Sequence, residues 1–127
     1  MRTLSRSAIA SGAVEAPHAA PGPRPIRILQ IGDGVFLRGF VDWMVDVANG
    51  KGVFDGGVAI LLARPRREPP ALPLQDNLFT VLLRGRSGGS DVEDRRVVGA
   101  VETALDPHRH WPETRRIAEA AGLRFVV

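Results

Sequence analysis

An α/β fold built on a parallel sheet is the class predicted by this 127-residue sequence, and three observations carry the prediction. Short runs of large aliphatic residues recur near residues 26–31, 58–63 and 123–127. A segment with helical spacing lies between the first two runs, and the first run ends on a glycine turn that leads straight into it. Strands buried on both faces read as continuous apolar runs, whereas half-exposed strands alternate. The 14 Gly and 10 Pro in a chain that is 44% apolar fit one domain with many turns rather than several domains.

Taken in order, residues 5–25 are rich in Ala, Ser, Gly and Pro and show no apolar period. Such a segment cannot bury enough surface to offset its ordering entropy, so residues 1–25 are expected to form a disordered, mobile arm, with the domain at 26–127. Regular structure should begin at Ile26, where Ile26, Ile28, Leu29 and Ile31 make a buried strand that stops at Gly32. Residues 35–48 place Phe36, Phe40, Met44 and Val47 near helical spacing, and Leu37, Val41, Trp43, Val45 and Ala48 make most of the remaining surface apolar. Arg38, Asp42, Asp46 and Asn49 form the polar stripe of this helix, and Gly50 stands where a left-handed cap belongs. Residues 58–63 supply the next strand, which completes a strand-helix-strand unit.

Pro65, Pro69, Pro70 and Pro73 break residues 64–73 into a loop, because proline lacks the N–H that regular structure needs. Residues 78–83 and 96–101 are expected to pair antiparallel, joined by a long loop around Ser87-Gly88-Gly89-Ser90. Pro112 suits the first turn of a helix that runs to Ala121, with Gly122 as its cap. Residues 123–127 read as a last strand. A parallel strand needs neighbours and covering helices, so a chain ending at Val127 reads as the first part of a larger domain.

Composition narrows the function classes. The sequence has no run of about 18 apolar residues and no apolar signal-peptide core, which makes a membrane partner unexpected and the cytoplasm the default location. Without cysteine there is neither a disulfide framework nor a thiolate metal site. The net charge is +3, but the basic residues, all arginine except Lys51, are spread along the chain. With five Phe, two Trp and no Tyr among them there is no basic, aromatic-laced stripe, and a nucleic-acid partner is not expected.

Chemistry concentrates at Ile31-Gly32-Asp33-Gly34-Val35-Phe36-Leu37-Arg38, a strand running through Gly-x-Gly into a helix, which is the context of a dinucleotide site. Gly32 permits the tight turn, Gly34 lets a pyrophosphate approach the backbone, and the free N–H groups of the helix start face the phosphate oxygens. Leu37 stands where the usual third glycine would be. Arg38 in the first turn opposes the helix dipole unless a phosphate is bound; the other reading is an exposed arginine paired with Asp42. Asp33 should point away to solvent. The acidic residue that usually binds the ribose hydroxyls is replaced by Arg64, while Asp55 lies before the strand and reads as a turn residue. Arg64, followed by Arg66 and Arg67, could hold a 2′-phosphate, stack on adenine or remain a solvated loop charge, so NAD and NADP both stay open at this point.

The remaining candidates are weaker. His108 and His110 flank Arg109, which repels a cation, so no metal site is expected and the segment reads as a polar loop capping the last helix. Gln75-Asp76-Asn77 reads as a turn whose side chains bond the backbone.

With these motifs assembled, the sequence resembles the N-terminal part of the mannitol dehydrogenase family of long-chain polyol dehydrogenases, most of all its tagaturonate reductase (altronate oxidoreductase) branch. The matching stretches are residues 1–6, ILQIGDGVFLRGFVDW at 28–43, Arg64-Pro65, LQDNLFT at 74–80 and LRFVV at 123–127. The resemblance implies an incomplete Rossmann-type dinucleotide-binding domain with a parallel βαβ start and an antiparallel β insertion. It implies NAD as cofactor, with Gly32, Gly34, Phe36 and Arg38 in the cofactor loop and Gln75 and Asp76 near the nicotinamide end. The family's catalytic lysine, with its Asn and His partners, belongs to a helical domain absent from this chain, so no catalytic residue is carried over. The function implied is the NAD-binding part of an oxidoreductase interconverting tagaturonate and altronate, whose sugar-acid or polyol substrate binds only with that missing domain. A fructuronate reductase or mannitol dehydrogenase fragment, an inactive remnant, or a nucleotide-binding module without redox chemistry are the alternatives, since a Gly-x-Gly turn does not name its ligand.

Overall fold

The computed structural model describes residues 3–17, 20, 22–65, 68 and 70–127. Along the chain, α1 (Arg6–Ala10) precedes β1 (Ile26–Ile31). Next come α2 (Val35–Leu37), a π-helical turn (Arg38–Asp42) and α3 (Trp43–Gly50), which follow one another without a break as a single helical rod. After these come β2 (Gly57–Leu61), α4 (Ala71–Leu74), β3 (Phe79–Ser87), β4 (Ser90–Val98), β5 (Val101–Leu105), α5 (Trp111–Ala118) and β6 (Phe125–Val126).

The predicted parallel sheet is present, in the order β5-β2-β1-β6. β1 lies inside it, with Leu29 opposite Ala59 of β2 on one side and opposite Val126 of β6 on the other. The chain therefore moves outward from β1 through β2 to β5, then returns to the opposite side of β1 for β6. This reversal of strand order next to β1 is where α/β sheets open a crevice at their carboxyl ends.

Side chains alternate across the sheet with the two-residue period of a strand. Ile28, Val58 and Ile60 face one layer, where they meet Val45 of α3, Leu72 of α4 and the hairpin base at Phe79 and Val98. Leu29, Ala59 and Leu61 face the other, where Ile117 of α5 covers them. Helices thus lie on both faces, and the β3–β4 ribbon occupies the connection between β2 and β5 as the antiparallel insertion.

Several details differ from the sequence expectations. The polar stripe of the rod faces inward: Asp42 and Asp46 are buried, while Phe36 is 73% and Phe40 51% exposed. Asp46 and Asn49 meet backbone groups beneath the helix, and Asp42 meets the Gln30 side chain of β1. Asn49 donates to Gly56 O at 2.9 Å and accepts from Gly56 N at 3.1 Å, closing the loop into β2. The helix also includes Gly50, and the left-handed glycine is Gly52 (φ +70°), whose N–H bonds Asn49 O.

Regular structure starts before Ile26. Ser5 caps α1 by accepting from Ala8 N at 3.1 Å, and Arg6 N donates to the Asp76 carboxylate at 2.9 Å. None of the α1 residues is buried, so polar ties rather than an apolar face hold this turn. Pro73 falls inside α4 instead of breaking it, because in the first turn an N–H has no intrahelical acceptor to lose.

The antiparallel pair is longer and more tightly closed than expected. β3 and β4 pair from Phe79↔Val98 to Ser87↔Ser90, leaving only Gly88 (φ +59°) and Gly89 (φ +84°) as the turn. Two consecutive left-handed residues make the hairpin turn whose twist matches the strands. Residues 84–95, expected as a loop, are ribbon, and Val101 belongs to β5 of the parallel sheet. α5 ends at Ala118 with Glu119 rather than Gly122 as its cap, and β6 is confined to Phe125–Val126.

Candidate functional site

The glycine turn sits at the carboxyl end of β1, beside the reversal of strand order. Gly32 has φ +107°, a conformation that side chains other than glycine rarely adopt, and its N–H donates to Leu61 O at 2.8 Å. Ile31 N donates to Val127 O at 2.7 Å, so the turn emerges from between both neighbouring strands. Gly34 precedes the first helical residue and offers no side chain to the helix N–H groups, which leaves them for another acceptor. A Cβ built on Gly34 meets nothing within 4 Å, so the surface in front of it is open.

Phe36 and Arg38 complete the turn in different ways. Phe36 stacks on Phe40 with ring centroids 5.4 Å apart. Arg38 donates from Nε to Asp33 O at 2.9 Å, and its guanidinium carbon lies 5.6 Å from the Phe79 ring centre. Arg38 is thereby tied to the turn it follows and to the base of the hairpin. Val35, Arg38, Gly39, Phe79 and Val81 line a cleft of about 420 Å³ between the rod and β3.

Arg64 lies three residues beyond β2, outside that cleft. It lines a second cavity of about 440 Å³ with Leu62, Glu68, Asp106, Arg109 and His110, at the carboxyl ends of β2 and β5. Arg66 and Arg67 fall outside the described residues. Asp106 Oδ1 accepts His108 N at 2.9 Å, and His110 Nδ1 lies 3.2 Å from Asp106 O, so both histidines belong to the loop leading into α5.

Gln75 and Asp76 bond elsewhere than the glycine turn. Gln75 Nε2 donates to Leu78 O at 2.6 Å, Asp76 (φ +55°) accepts from Arg6 N, and Asn77 Nδ2 reaches Glu102 O at 3.1 Å. They shape the entry to β3, as the turn reading expected, with Arg6 as an unforeseen partner.

Sequence reasoning passed over Gln30 and misplaced Asp42. Both are fully buried behind the glycine turn, where Gln30 Nε2 donates to Gly32 O at 3.1 Å and lies 3.4 Å from Asp42 Oδ2. Burial pushes the Asp42 carboxyl up to about 7, against the lowering effects of the Gln30 hydrogen bond and the Arg38 charge. The available signal was a lone amide in the run Ile28-Leu29-Gln30-Ile31, since a polar side chain among buried neighbours needs a bonding partner.

Among the described residues no helix is long and apolar enough to cross a membrane. No protein-family model matches the chain. It is 37% identical over 103 residues to the altronate oxidoreductase of Halalkalibacterium halodurans, a match covering 80% of this chain and 20% of that protein. It is 33% identical over 103 residues to the altronate oxidoreductase of Bacillus subtilis strain 168, covering 81% of this chain and 22% of that protein. The chain thus spans about a fifth of the length of the curated relatives it matches. In fold it is similar to Pseudomonas fluorescens mannitol 2-dehydrogenase, solved as a ternary complex with NAD and D-mannitol, at TM-score 0.82 and 21% identity over 98% of this chain and 26% of that one. The Rossmann-type arrangement, with its reversal at β1, and the sequence matches agree with the resemblance drawn from the glycine block: the chain is homologous to the altronate oxidoreductases over about a fifth of their length and similar in fold to mannitol 2-dehydrogenase.

Proposed function

We propose that residues 26–127 carry the dinucleotide site of an NAD-dependent oxidoreductase that interconverts tagaturonate and altronate. The observation that carries this reading is the Gly32-Asp33-Gly34 turn at the end of β1, opening into a helix where the strand order reverses. The names of the relatives support altronate as one member of the pair, and the complex of the structural neighbour supports the cofactor.

Bound NAD would supply hydride transfer at its nicotinamide ring. The part played by this chain is binding and orientation. Gly34 leaves the approach open, and the N–H groups at the start of the rod, which no side chain caps, would hold the pyrophosphate. Arg38 braces the turn through Asp33 O and adds positive charge to the cleft. Phe36 offers an exposed ring beside the turn. Gln75 and Asp76 belong to the nicotinamide end, where they act by fixing the turn into β3. Arg64, in a cavity that also holds Arg109, is assigned to the adenosine end in this reading. No residue of this chain is assigned the acid–base step, which in this reading falls to the helical domain, together with sugar-acid binding; a cytoplasmic location accompanies it.

The test is a fluorescence titration of the purified chain with NADH, NADPH and ADP, with circular dichroism as the measure of folding. Saturable NADH binding, tighter than that of ADP, is expected. A preference for NADPH would assign Arg64 to a 2′-phosphate, equal affinity for ADP would favour a nucleotide module without redox chemistry, and a folded chain that binds none would remove the site.

A further inference from the structure

Gln30 and Asp42 are 0% exposed and lie directly behind the turn, yet contact with a dinucleotide explains neither. The Gln30 carboxamide has two N–H groups, with Gly32 O at 3.1 Å and Asp42 Oδ2 at 3.4 Å as their acceptors. Gln30 Oε1 and Asp42 Oδ1 have no hydrogen-bond partner among the described residues. A carboxylate held by one long hydrogen bond in a buried site is costly, while a neutral carboxyl in the same place is tolerated.

We propose that Asp42 and Gln30 are positioning residues for the dinucleotide turn, with neutral Asp42 leaving the turn's donors in place and ionised Asp42 drawing them away. The turn has two side-chain donors, Gln30 Nε2 on Gly32 O and Arg38 Nε on Asp33 O, and both groups also act on Asp42. Charge-assisted hydrogen bonds are roughly twice as strong as neutral ones, so a carboxylate at Asp42 pulls the Gln30 carboxamide, through its second N–H, away from Gly32 O and attracts the Arg38 charge through space, away from Asp33 O. Arg38, one turn back on the rod, is the cation that faces Asp42, and β1 presents the uncharged Gln30. The hairpin base presents uncharged Phe79 beneath Arg38, while Asp46, the next carboxylate along the rod, is bonded to Gly99. Asp33 is the acidic residue of the turn itself. Burial places the ionisation of Asp42 near neutral pH, so the competition is switched on within an ordinary working range.

This inference rests on the dinucleotide reading, but one of its two tests does not. The carbonyl carbon resonances of Gly32 and Asp33 are followed by NMR in the full chain from about pH 5.5 to about pH 8.5, beside the Asp42 carboxyl carbon. They should move with one shared midpoint in the native chain, stay still in Asp42→Asn, and lose the Gly32 response alone in Gln30→Met. In parallel the NADH dissociation constant should rise roughly three- to tenfold over that range in the native chain and stay flat in Asp42→Asn. Turn carbonyls that stay still while Asp42 titrates, an Asp42 that does not titrate in this range, or a pH response that persists in Asp42→Asn would each overturn the relay. If the folded chain binds no NADH at any pH, the dinucleotide reading falls, and the carbonyl resonances still decide whether the relay exists.

Discussion

Asp46 Oδ1 accepts the backbone N–H of Gly99 at 3.0 Å, joining α3 to the short link where the chain leaves the hairpin and enters β5. Both residues are buried, and Gly99 stands between two strands that belong to different sheets, so a helix side chain supplies the partner that a ladder would. Asp46→Ala leaves that N–H unsatisfied and should cost about 1–3 kcal/mol. Thermal unfolding followed by circular dichroism should show a melting temperature lower by several degrees, with a smaller loss in Asp46→Asn, which retains an acceptor oxygen. An unchanged melt in Asp46→Ala would mean that Gly99 finds another acceptor.

Gly32 and Gly34 should respond differently to substitution although they are two residues apart. At Gly32, φ is +107°, so Gly32→Ala forces a conformation disfavoured by roughly 1–3 kcal/mol, and the defect appears as lost stability. At Gly34, φ is −59° and a Cβ meets nothing within 4 Å, so Gly34→Val should fold with little change. Its side chain instead occupies the open approach to the helix start, and NADH binding should fall below detection. Normal NADH affinity in folded Gly34→Val would show that the turn is not where the dinucleotide binds.

The hairpin turn offers a local test of β geometry. Gly88 and Gly89 both lie in the left-handed region, with φ +59° and φ +84°. Gly88→Val should destabilise the ribbon by about 1–2 kcal/mol, since a β-branched residue cannot adopt this conformation without a clash. Hydrogen exchange should speed up at amides of β3 and β4 near the turn, such as Gly85 and Val92, while Val58 to Leu61 of β2 stay protected. Faster exchange in β2 would mean that ribbon and sheet unfold as one unit.

The parallel sheet was legible because burial on both faces removes alternation: Ile28-Leu29 and Val58-Ala59-Ile60-Leu61 read as unbroken apolar runs, and all six residues are core. The glycine turn was legible from its flanks. The direction of the rod's polar stripe was not, because a period of 3.6 identifies a stripe without saying which way it faces. Asp46 and Asn49 point inward because the links at Gly99 and Gly56 need hydrogen-bond partners, and Asp42 meets Gln30 of β1, tertiary relations invisible in local spacing. The ribbon was misread for the opposite reason: its outer half is exposed on both faces, so Leu82, Leu83 and Val92 lie beside charged residues without a core to set a period. Its exposed pairs, such as Arg84–Glu93 at 2.9 Å, stand side by side only after the strands have paired.

Asp42 should make the stability of the chain fall as pH rises, the reverse of the usual behaviour of paired carboxylates. Burial raises its folded value from 3.8 to about 7, so between those limits the folded state holds a proton that the unfolded state has released. The unfolding free energy therefore declines from about pH 4 upward and levels off above about pH 7, where both states are ionised. The gap between 3.8 and about 7 corresponds to about 4 kcal/mol across the full window. Urea unfolding at about pH 5 and about pH 8 should give a lower midpoint at the higher pH, with the slope reduced in Asp42→Asn. Since other carboxylates contribute their own pH dependence, the difference between native chain and variant is the quantity to read. If the two midpoints shift in parallel with pH, Asp42 is ionised in the folded state throughout, and the neutral acid behind the glycine turn is ruled out.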